Sequence, residues 1–277
     1  MMSWWQSLPE HTDPIAFVIG GFPVRFYGLF WLAGFGVAWC FLSVLLRRAG
    51  AQESFRESIL ESLVWVFFGA LIGGRLGYAL LYAPQYFLHH LAGLFLPFEQ
   101  GVFTGFFGMS FFGGAIGASA ALWFSSPRSL GAFFERADFF ALAAPLALFF
   151  GRLGNFMNGE LFGRVTAVPW GMYFPSGGGM LRHPSQLYEA FLEGILLFFI
   201  LWHIRRMTVK PGVMSGAFLL LYGIIRFFAE FFREPDFGAS LMFGLFTRGQ
   251  AYSIALFLIA GYFLRSIGRR KSAILEE

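Results

Sequence analysis

Charged residues are scarce in this sequence. Only 13% of its 277 residues are Asp, Glu, Lys or Arg, whereas 57% are hydrophobic. A soluble domain has about 25% charged and about 45–50% apolar residues, so this composition excludes an ordinary soluble protein. We therefore predict an integral membrane protein, in which many of the 40 Phe residues lie against acyl chains.

Cysteine is nearly absent as well. Cys40 is the single cysteine, so no intrachain disulfide can form. It lies in the apolar run FGVAWCFLSVLL, which favours a buried, inert thiol over a nucleophile. The sequence has no P-loop, HExxH, GxSxG or metal-ligand cluster, and nothing in it indicates nucleic-acid binding. The N-terminal residues MMSWWQSLPEHTDP include no basic segment before an apolar core, so we expect no cleavable signal peptide.

Long apolar runs are what the sequence has in abundance. A transmembrane helix needs about 20 predominantly apolar residues. Seven candidate runs lie at about 26–46, 58–83, 106–124, 137–151, 185–204, 214–232 and 249–267. They predict an all-α integral membrane protein with about seven transmembrane helices in a single membrane domain, 1–277. The longest connection, 152–184, is rich in Gly and Pro, which predicts an irregular, head-like insertion on the outer, periplasmic face.

Basic residues follow the odd-numbered runs. They are Arg47, Arg48, Arg56, Arg128, Arg136, Arg205, Arg206, Lys210, Arg265, Arg269, Arg270 and Lys271. Basic residues beside membrane spans favour the cytoplasmic side. This pattern predicts an N-terminus on the outer, periplasmic side of the membrane and a C-terminus in the cytoplasm.

Other arginines do not fit that pattern, because they lie within runs or on the predicted outer side. They are Arg25, Arg75, Arg152, Arg164, Arg182, Arg226, Arg233 and Arg248. An Arg at the centre of a span costs roughly 2.5–3.5 kcal/mol on insertion scales. Any one of them can be explained by snorkelling or by an ion pair. The set indicates a shared anion, such as the head group of an anionic phospholipid.

The segment GRLGNFMNGELFGRV at 151–165 is unusually polar for its position after an apolar run. Arg152, Asn155 and Gly159 are spaced i, i+3, i+7, so they share one face if the helix continues. Gly159 would then let a ligand approach closely. Glu160 and Arg164 are four residues apart, a spacing at which an ion pair alone explains both.

A second polar pattern is YGIIRFFAEFFREPD at 222–236. Its residues Tyr222, Arg226, Glu230 and Arg233 form a polar seam at helical spacing, which must face the protein interior. One interpretation is a structural Arg–Glu–Arg ladder. The other is that Glu230 orients a guanidinium while Arg226 keeps donors for a phosphate.

The third pattern is LRHPSQLYEAFLEG at 181–194. His183 and Pro184 precede Ser185, a candidate N-cap of the next helix. Glu189 and Glu193 follow four residues apart, and a capped helix start accounts for much of the pattern.

Six segments together resemble the prolipoprotein diacylglyceryl transferases, enzymes of the bacterial inner membrane. They are FYGLFW at 26–31, GGRLGY at 73–78, GMSFFGG at 108–114, GRLGNFMNGELFGR at 151–164, RHPSQLYE at 182–189 and the seam at 222–236. The resemblance covers about residues 9–267. It implies transfer of the diacylglyceryl group of phosphatidylglycerol to the lipobox cysteine in the signal peptide of a pre-lipoprotein. A thioether forms, glycerol-1-phosphate leaves, and no metal or other cofactor takes part.

The resemblance also implies roles for individual residues. The catalytic residues would be Arg152, Arg226, Glu160 and Glu230, and the substrate-binding residues would be Tyr27, Asn155, Asn158, Gly163, His183, Tyr222, Arg233 and Arg75. Arg152 and Arg226 would face the phosphate or leaving group. Asn155 would contact the head group, and Glu160 would be an orienting partner.

One position departs from the family pattern. The third segment of the family usually reads GMSFHGG, and its histidine is a candidate for thiol activation, whereas this sequence has Phe112. A phenyl ring cannot accept a proton. Either Glu160, Glu230 or His183 is the base, or the histidine is only a helper, or the chain is a slow or inactive member; we expect reduced activity. A smaller departure is Arg25, where the family often has histidine.

The alternative to a transferase is a non-catalytic binder or transporter of anionic lipids. Transporters often have internal repeats with corresponding broken helices. The two halves of this sequence show no such similarity, which favours the transferase.

Overall fold

The computed structural model describes residues 3–95, 98–99, 102–103, 108–207, 210–235 and 245–274. These residues are mostly helical. In chain order the α-helices among them are α1 (Phe26–Arg48), α2 (Glu53–Leu81), α3 (Pro84–His89), α4 (Ala92–Phe95), α5 (Phe111–Ser125), α6 (Leu130–Met157), α7 (Ser185–Glu189), α8 (Leu197–Arg205), α9 (Val213–Ala229) and α10 (Arg248–Ile274). A short 3₁₀ helix, Leu8–His11, precedes them.

Among the described residues, four helical segments are long and apolar enough to cross a membrane: Phe26–Arg48, Glu53–Leu81, Leu130–Met157 and Ser185–Arg205. The shorter helices Phe111–Ser125 and Val213–Ala229 are also apolar. The structure therefore agrees with a helical integral membrane protein. Each predicted run falls on a helix, although the first residues of the third run, 106–107, lie outside the described residues. The count of seven spans and the orientation of the termini remain predictions.

The helical segment Ser185–Arg205 is not a regular α-helix. Between α7 and α8 it forms a π-helix, Ala190–Leu196. Gly194 lies in this turn, and a Cβ atom there would come within 2.6 Å of the Phe149 Cβ atom on α6. The wider turn thus occurs where two helices approach closely, and such turns are frequent at functional sites.

Near the polar segments, the ends of α6 and α9 differ from the predicted runs. α6 continues through Met157, so Arg152 and Asn155 are still helical, and the irregular connection begins after them. α9 ends at Ala229, so the second half of the predicted seam lies beyond the helix.

Two small β-hairpins add to the predicted all-α architecture. β1 (Ile15–Ile19) pairs antiparallel with β2 (Phe22–Arg25), and β3 (Phe98–Glu99) pairs with β4 (Val102–Phe103). The first hairpin turns at Gly20 and Gly21, which have φ angles of 57° and 87°. Two-residue hairpin turns of this kind need positive φ at both positions, which glycine adopts readily.

The chain forms two compact units, one of residues 1–41 and 138–277 and the other of residues 42–137. Within the second unit α2 packs closely on α5. A Cβ atom at Gly77 would lie 2.7 Å from the Gly113 Cα atom, so these small residues allow the two backbones to meet. Arg136 is buried in the same unit, where it donates to the Ser62 hydroxyl at 3.1 Å.

Cys40 is exposed on α1, so the prediction of a buried thiol is wrong. The run around Cys40 is apolar on every face of the helix, so the sequence does not show which of its side chains face the protein interior. Leu42, two residues on, has no exposed surface. In a bilayer the outward face of an entirely apolar helix meets acyl chains.

Candidate active site

Three arginines and three glutamates of the first unit lie within ion-pair distance of one another. We call them the ionic cluster: Arg152 on α6, Glu189 on α7, Glu193 on the π-helix, Arg226 on α9, and Glu230 and Arg233 after α9. Their formal charges cancel. The α-helices and the π-helix supply four of the six side chains, so regular secondary structure fixes most of the geometry.

Glu189 is at the centre of the ionic cluster. Its Oε1 atom accepts a hydrogen bond from Arg226 Nη1 at 2.6 Å and lies 3.8 Å from Arg233 Nη1. Its Oε2 atom lies 2.8 Å from Arg152 Nη1. The two atoms form an ion pair, but they are not aligned for a hydrogen bond. Burial, and then the charge of Arg226, lower the pKa of Arg233, which lies beyond the end of α9.

Glu193 forms the second contact of Arg152. The Nε and Nη2 atoms of Arg152 both donate to Glu193 Oε2, at 3.0 and 2.9 Å. The other oxygen, Oε1, lies 3.7 Å from Arg226 Nη1 and has no hydrogen-bond partner among the described residues. The side chains of Glu189 and Glu193 have no solvent exposure. Charges this deeply buried persist only when they are paired.

Glu230 links the ionic cluster to α10. Arg226 Nη2 donates to Glu230 Oε2 at 2.7 Å, as the helical spacing of these two residues predicts. The Thr247 hydroxyl donates to the other carboxylate oxygen, Oε1, at 3.0 Å. Arg226 is therefore held on one side by Glu230 and on the other by Glu189.

Glu189 and Glu193 were not among the predicted site residues. They were interpreted largely as part of a capped helix start, because His183, Pro184 and Ser185 precede them. The available signal was two carboxylates one helical turn apart in an apolar segment, a position at which ionisable residues are rare and need a partner.

The amides predicted to bind substrate meet at Glu160. Asn155 Nδ2 donates to Glu160 Oε1 at 2.9 Å, and Asn158 Nδ2 lies 3.3 Å from the same oxygen. The Asn158 Oδ1 atom is buried without a hydrogen-bond partner among the described residues. Glu160 is exposed, whereas Asn155 is buried in the last turn of α6.

The alternative ion pair between Glu160 and Arg164 does not form. Arg164 Nε instead donates to the Arg233 backbone oxygen at 3.0 Å. The reason is that the helix has ended: Gly159 and Leu161 have φ angles of 64° and 57°, which no α-helix accommodates. For the same reason Gly159 does not share a helical face with Arg152.

Two tyrosines predicted to bind substrate also belong to the first unit. The Tyr27 ring lies against Gly154, where a Cβ atom would come within 3.0 Å of the ring carbon Cδ2. Tyr222 is buried on α9, beside Glu193, and stacks on Phe218 with ring centroids 5.7 Å apart.

His183 and Gly163 lie together in the connection after α6. The Gly163 backbone N–H donates to the His183 oxygen at 2.8 Å, and a Cβ atom at Gly163 would come within 2.6 Å of the His183 Cβ atom. His183 Nδ1 is 3.1 Å from the Tyr188 hydroxyl, which also accepts a hydrogen bond from Trp170 Nε1 at 2.6 Å. Burial lowers the pKa of the His183 imidazole.

Ser185 is not the N-cap that the sequence predicted. The N-cap position belongs to Pro184, and the Ser185 hydroxyl donates to the Leu161 oxygen at 3.0 Å. The hydroxyl thus ties the irregular connection to the start of α7 instead of satisfying a helical N–H.

The arginines that do not fit the topology pattern have different partners within their own units. Arg75 belongs to the second unit, where it donates to the backbone oxygens of Leu94 and Gly108 at 3.3 and 3.4 Å. Arg182 lies 3.2 Å from a Glu234 oxygen in the first unit. The side chains of Arg248, Arg269, Arg270 and Lys271 lie outside the described part of the chain. Only Arg152, Arg226 and Arg233 share carboxylates among the described side chains.

Residues 14–265 match the family model of prolipoprotein diacylglyceryl transferase. The chain belongs to the prolipoprotein diacylglyceryl transferase family. The matched range contains the whole ionic cluster and every residue that the sequence analysis assigned to the site.

Individual members of this transferase family are similar to the chain over most of their length. A phosphatidylglycerol–prolipoprotein diacylglyceryl transferase of Chlorobaculum tepidum is 45% identical over 254 residues, 90% of this chain and 87% of the relative. One from Geobacter sulfurreducens is 42% identical over 265 residues, 94% of this chain and 97% of the relative. One from Pseudoalteromonas atlantica is 45% identical over 249 residues, 90% of this chain and 85% of the relative.

Phe112, the departure from the expected transferase pattern, lies in the first turn of α5. Ser110 caps this turn by accepting a hydrogen bond from the Gly113 N–H at 3.2 Å. The Phe112 ring lines an apolar groove of about 480 Å³ in the second unit, together with residues that include Trp123 and Phe133.

Proposed function

We propose that the chain transfers the diacylglyceryl group of phosphatidylglycerol to the lipobox cysteine thiol of pre-lipoproteins in the bacterial inner (cytoplasmic) membrane. Family membership supports the reaction class, and the relatives' names mention both substrates. The observation that supports it most directly in this chain is the ionic cluster, where guanidinium groups meet although two of them lie on apolar helices.

The proposed reaction needs a base and a stabilised leaving group. The base removes the thiol proton, and the thiolate sulfur attacks the glyceryl carbon that is bonded to the phosphate oxygen. A C–S bond forms, the C–O bond breaks, and the electron pair stays on the phosphate oxygen. Glycerol-1-phosphate then leaves with one more negative charge than the phosphodiester had. Fixed cationic donors in a water-poor site stabilise such a developing charge.

Arg152 and Arg226 are the residues we assign to the phosphate. A guanidinium has five N–H donors, and each Nη atom has two hydrogens. The contacts with Glu193, Glu189 and Glu230 use one of the two hydrogens at Arg152 Nη2, Arg226 Nη1 and Arg226 Nη2, respectively. The second hydrogen on each of these nitrogens can be donated to a phosphate oxygen. The carboxylates would then orient the guanidiniums, as outer-shell partners orient the ligands of a metal.

Because the charges of the ionic cluster cancel, we infer that directed N–H donors, more than net charge, select the phosphate. Asn155, Asn158 and Tyr27 would contact the head group beside it. Glu160, which both amides contact, would orient them.

His183 is the base we favour in place of the histidine that Phe112 replaces. Its lowered pKa keeps the imidazole neutral near pH 7, where it can accept a proton. The Nδ1 atom of His183 contacts the Tyr188 hydroxyl, so Nε2 is the atom that would accept the proton. Both oxygens of Glu230, in contrast, accept hydrogen bonds from Arg226 and Thr247, and one oxygen of Glu160 accepts from two amides.

We also propose the topology in which this site faces the periplasm. Seven spans with the N-terminus outside would form a single membrane domain and would put the connection 152–184 on the outer face. The distribution of basic residues supports this orientation.

The test is an assay with purified protein, phosphatidylglycerol and a lipobox peptide. We expect a thioether-linked diacylglyceryl peptide by mass spectrometry and an equal amount of glycerol-1-phosphate. A peptide with serine in place of the cysteine, and phosphatidylethanolamine in place of phosphatidylglycerol, are the controls. Bound phosphatidylglycerol without product would contradict the proposal and would favour an impaired relative or a non-catalytic binder of anionic lipids.

A further inference from the structure

The first turn of α10 is fixed by a reciprocal pair of hydrogen bonds. The Gln250 N–H donates to the Thr247 hydroxyl oxygen at 3.2 Å, and the Thr247 N–H donates to the Gln250 side-chain oxygen at 3.1 Å. This arrangement is a capping box, which satisfies two of the N–H groups that a helix start leaves without partners. It holds the Thr247 side chain in one orientation.

The Thr247 hydroxyl, which caps α10, also donates a hydrogen bond to the ionic cluster. Thr247 Oγ1 donates to Glu230 Oε1 at 3.0 Å, and Arg226 Nη2 donates to Glu230 Oε2 at 2.7 Å. Thr247, Glu230 and Gln250 are buried, each with no more than 7% of its surface exposed. A continuous chain of hydrogen bonds therefore connects the backbone of α10 to the guanidinium of Arg226.

The backbone of α10 also lies directly against the same carboxylate. A Cβ atom at Gly249 would come within 2.5 Å of Glu230 Oε1, so no larger residue fits there while Glu230 keeps its position. A carboxylate at a helix N-terminus is further stabilised by the helix dipole. Thr247 and the first turn of α10 together determine which way Glu230 faces.

We propose that Thr247 is a positioning residue for the transfer reaction. Its hydroxyl holds Glu230 in the orientation that presents Arg226 to the phosphate, and the start of α10 thereby contributes to the site that the ionic cluster forms. This inference rests on the proposed role of Arg226. It adds a residue with no charge and no contact of its own with the reacting atoms.

Three substitutions separate the two tasks of the hydroxyl. Thr247→Ser keeps both the cap and the hydrogen bond to Glu230. Thr247→Asp keeps a good N-cap but cannot donate to a carboxylate. Thr247→Val has the same shape as threonine and loses both. If the residue matters only for the stability of α10, the Asp variant behaves like the Ser variant; if it positions Glu230, the Asp variant behaves like the Val variant.

The measurements are kcat and KM for phosphatidylglycerol, together with thermal unfolding in detergent. We expect kcat to fall about 10- to 100-fold in Thr247→Val and Thr247→Asp, the range for loss of one hydrogen bond to a charged group. Thr247→Ser restores most of the rate. The matched control is Ser253→Ala, which removes a hydrogen bond of 2.7 Å to the Gly249 oxygen on the same helix but does not touch Glu230.

Equal kcat values in the Ser, Asp and Val variants would overturn the inference and leave the proposed function intact. A wild-type protein without thioether product would instead refute the proposed function. In that case the inference is tested by the increase in Tm that added phosphatidylglycerol produces in each Thr247 variant. A smaller increase in the Asp and Val variants than in the Ser variant supports it, and equal increases refute it.

Discussion

Glu189 contacts all three arginines of the ionic cluster, although its own side chain has no solvent exposure. Removing one partner from a buried ion pair typically costs about 3–5 kcal/mol, because an uncompensated charge stays behind. Substituting an arginine here by alanine would therefore test folding as much as catalysis. A substitution that keeps the charge separates the two effects.

Arg152→Lys is such a substitution. Lysine retains the positive charge between Glu189 and Glu193 but loses the planar fork that contacts both. We expect the rate of transfer to fall at least about 100-fold, the order reported for loss of an oriented donor to a developing oxyanion. Thermal unfolding should show a smaller loss of stability than in Arg152→Ala. Wild-type turnover in the lysine variant would mean that the fork takes no part in the reaction.

Phe112→His tests whether thiol activation limits the rate. A histidine at this position could accept the proton that a phenyl ring cannot. We expect an increase in kcat of about 10²-fold at most, the lower end of general-base contributions. Phe112→Leu serves as the control for a change of volume. An unchanged rate in the histidine variant would show that proton removal, which we assign to His183, does not limit the reaction.

The sequence alone identified some residues of the site and missed others for a physical reason. Arg152 and Arg226 were predicted because an arginine in an apolar run is costly and needs an explanation. Glu189 and Glu193 pair with arginines 37 to 41 positions away or on another helix, and such partners are not visible in local spacing. The predicted ion pair between Glu160 and Arg164 does not form, because the prediction required a helix through residue 164 and α6 ends at Met157.

At the scale of secondary-structure elements, Asp138 connects α6 to the start of α9. Its Oδ2 atom accepts a hydrogen bond from the Gly212 N–H at 2.7 Å, and its Oδ1 atom accepts from the Ser215 N–H and hydroxyl at 2.8 and 2.6 Å. These bonds satisfy N–H groups that an α-helix leaves without partners at its start. The two helices that hold Arg152 and Arg226 are thus fixed to each other far from the ionic cluster.

Asp138→Ala should destabilise the protein by about 0.5–2 kcal/mol, the range for loss of a helix cap. A lower Tm in detergent is the expected result. Asp138→Asn keeps one acceptor oxygen and should lose less. An unchanged Tm in the alanine variant would show that α9 keeps its start without this cap.

Prediction from sequence was good for the existence of the helices and poor for their details. Apolar runs identify helices because a bilayer requires every backbone group to be satisfied within the segment. The π-helix Ala190–Leu196 coincides with a contact between Gly194 and Phe149, and this tertiary contact has no local signature. The hairpin at Gly20 and Gly21 was not predicted, because its strands of five and four residues are too short to form a long apolar run.

At the scale of the whole molecule, basic residues after the odd-numbered runs predict the orientation in the membrane. Cys40 is the only cysteine, so its replacement by serine gives a background for single-cysteine labelling. A cysteine at Ser7 should react with an impermeant maleimide in intact spheroplasts, and a cysteine at Ser272 only after lysis. The reverse pattern would contradict both the orientation and a periplasmic site.

The ionic cluster also constrains how the protein is made. Ribosomes add about 5–20 residues per second, so Glu189, which follows Arg152 by 37 positions, emerges roughly 2–7 s later. During that interval the guanidinium of α6 has no counter-ion from the later helices. We expect α6 to remain beside the translocon until the segments that neutralise Arg152 have been synthesised. These segments and α6 then enter the lipid together. Biogenesis of this part of the chain is then a concerted event and not a series of independent insertions.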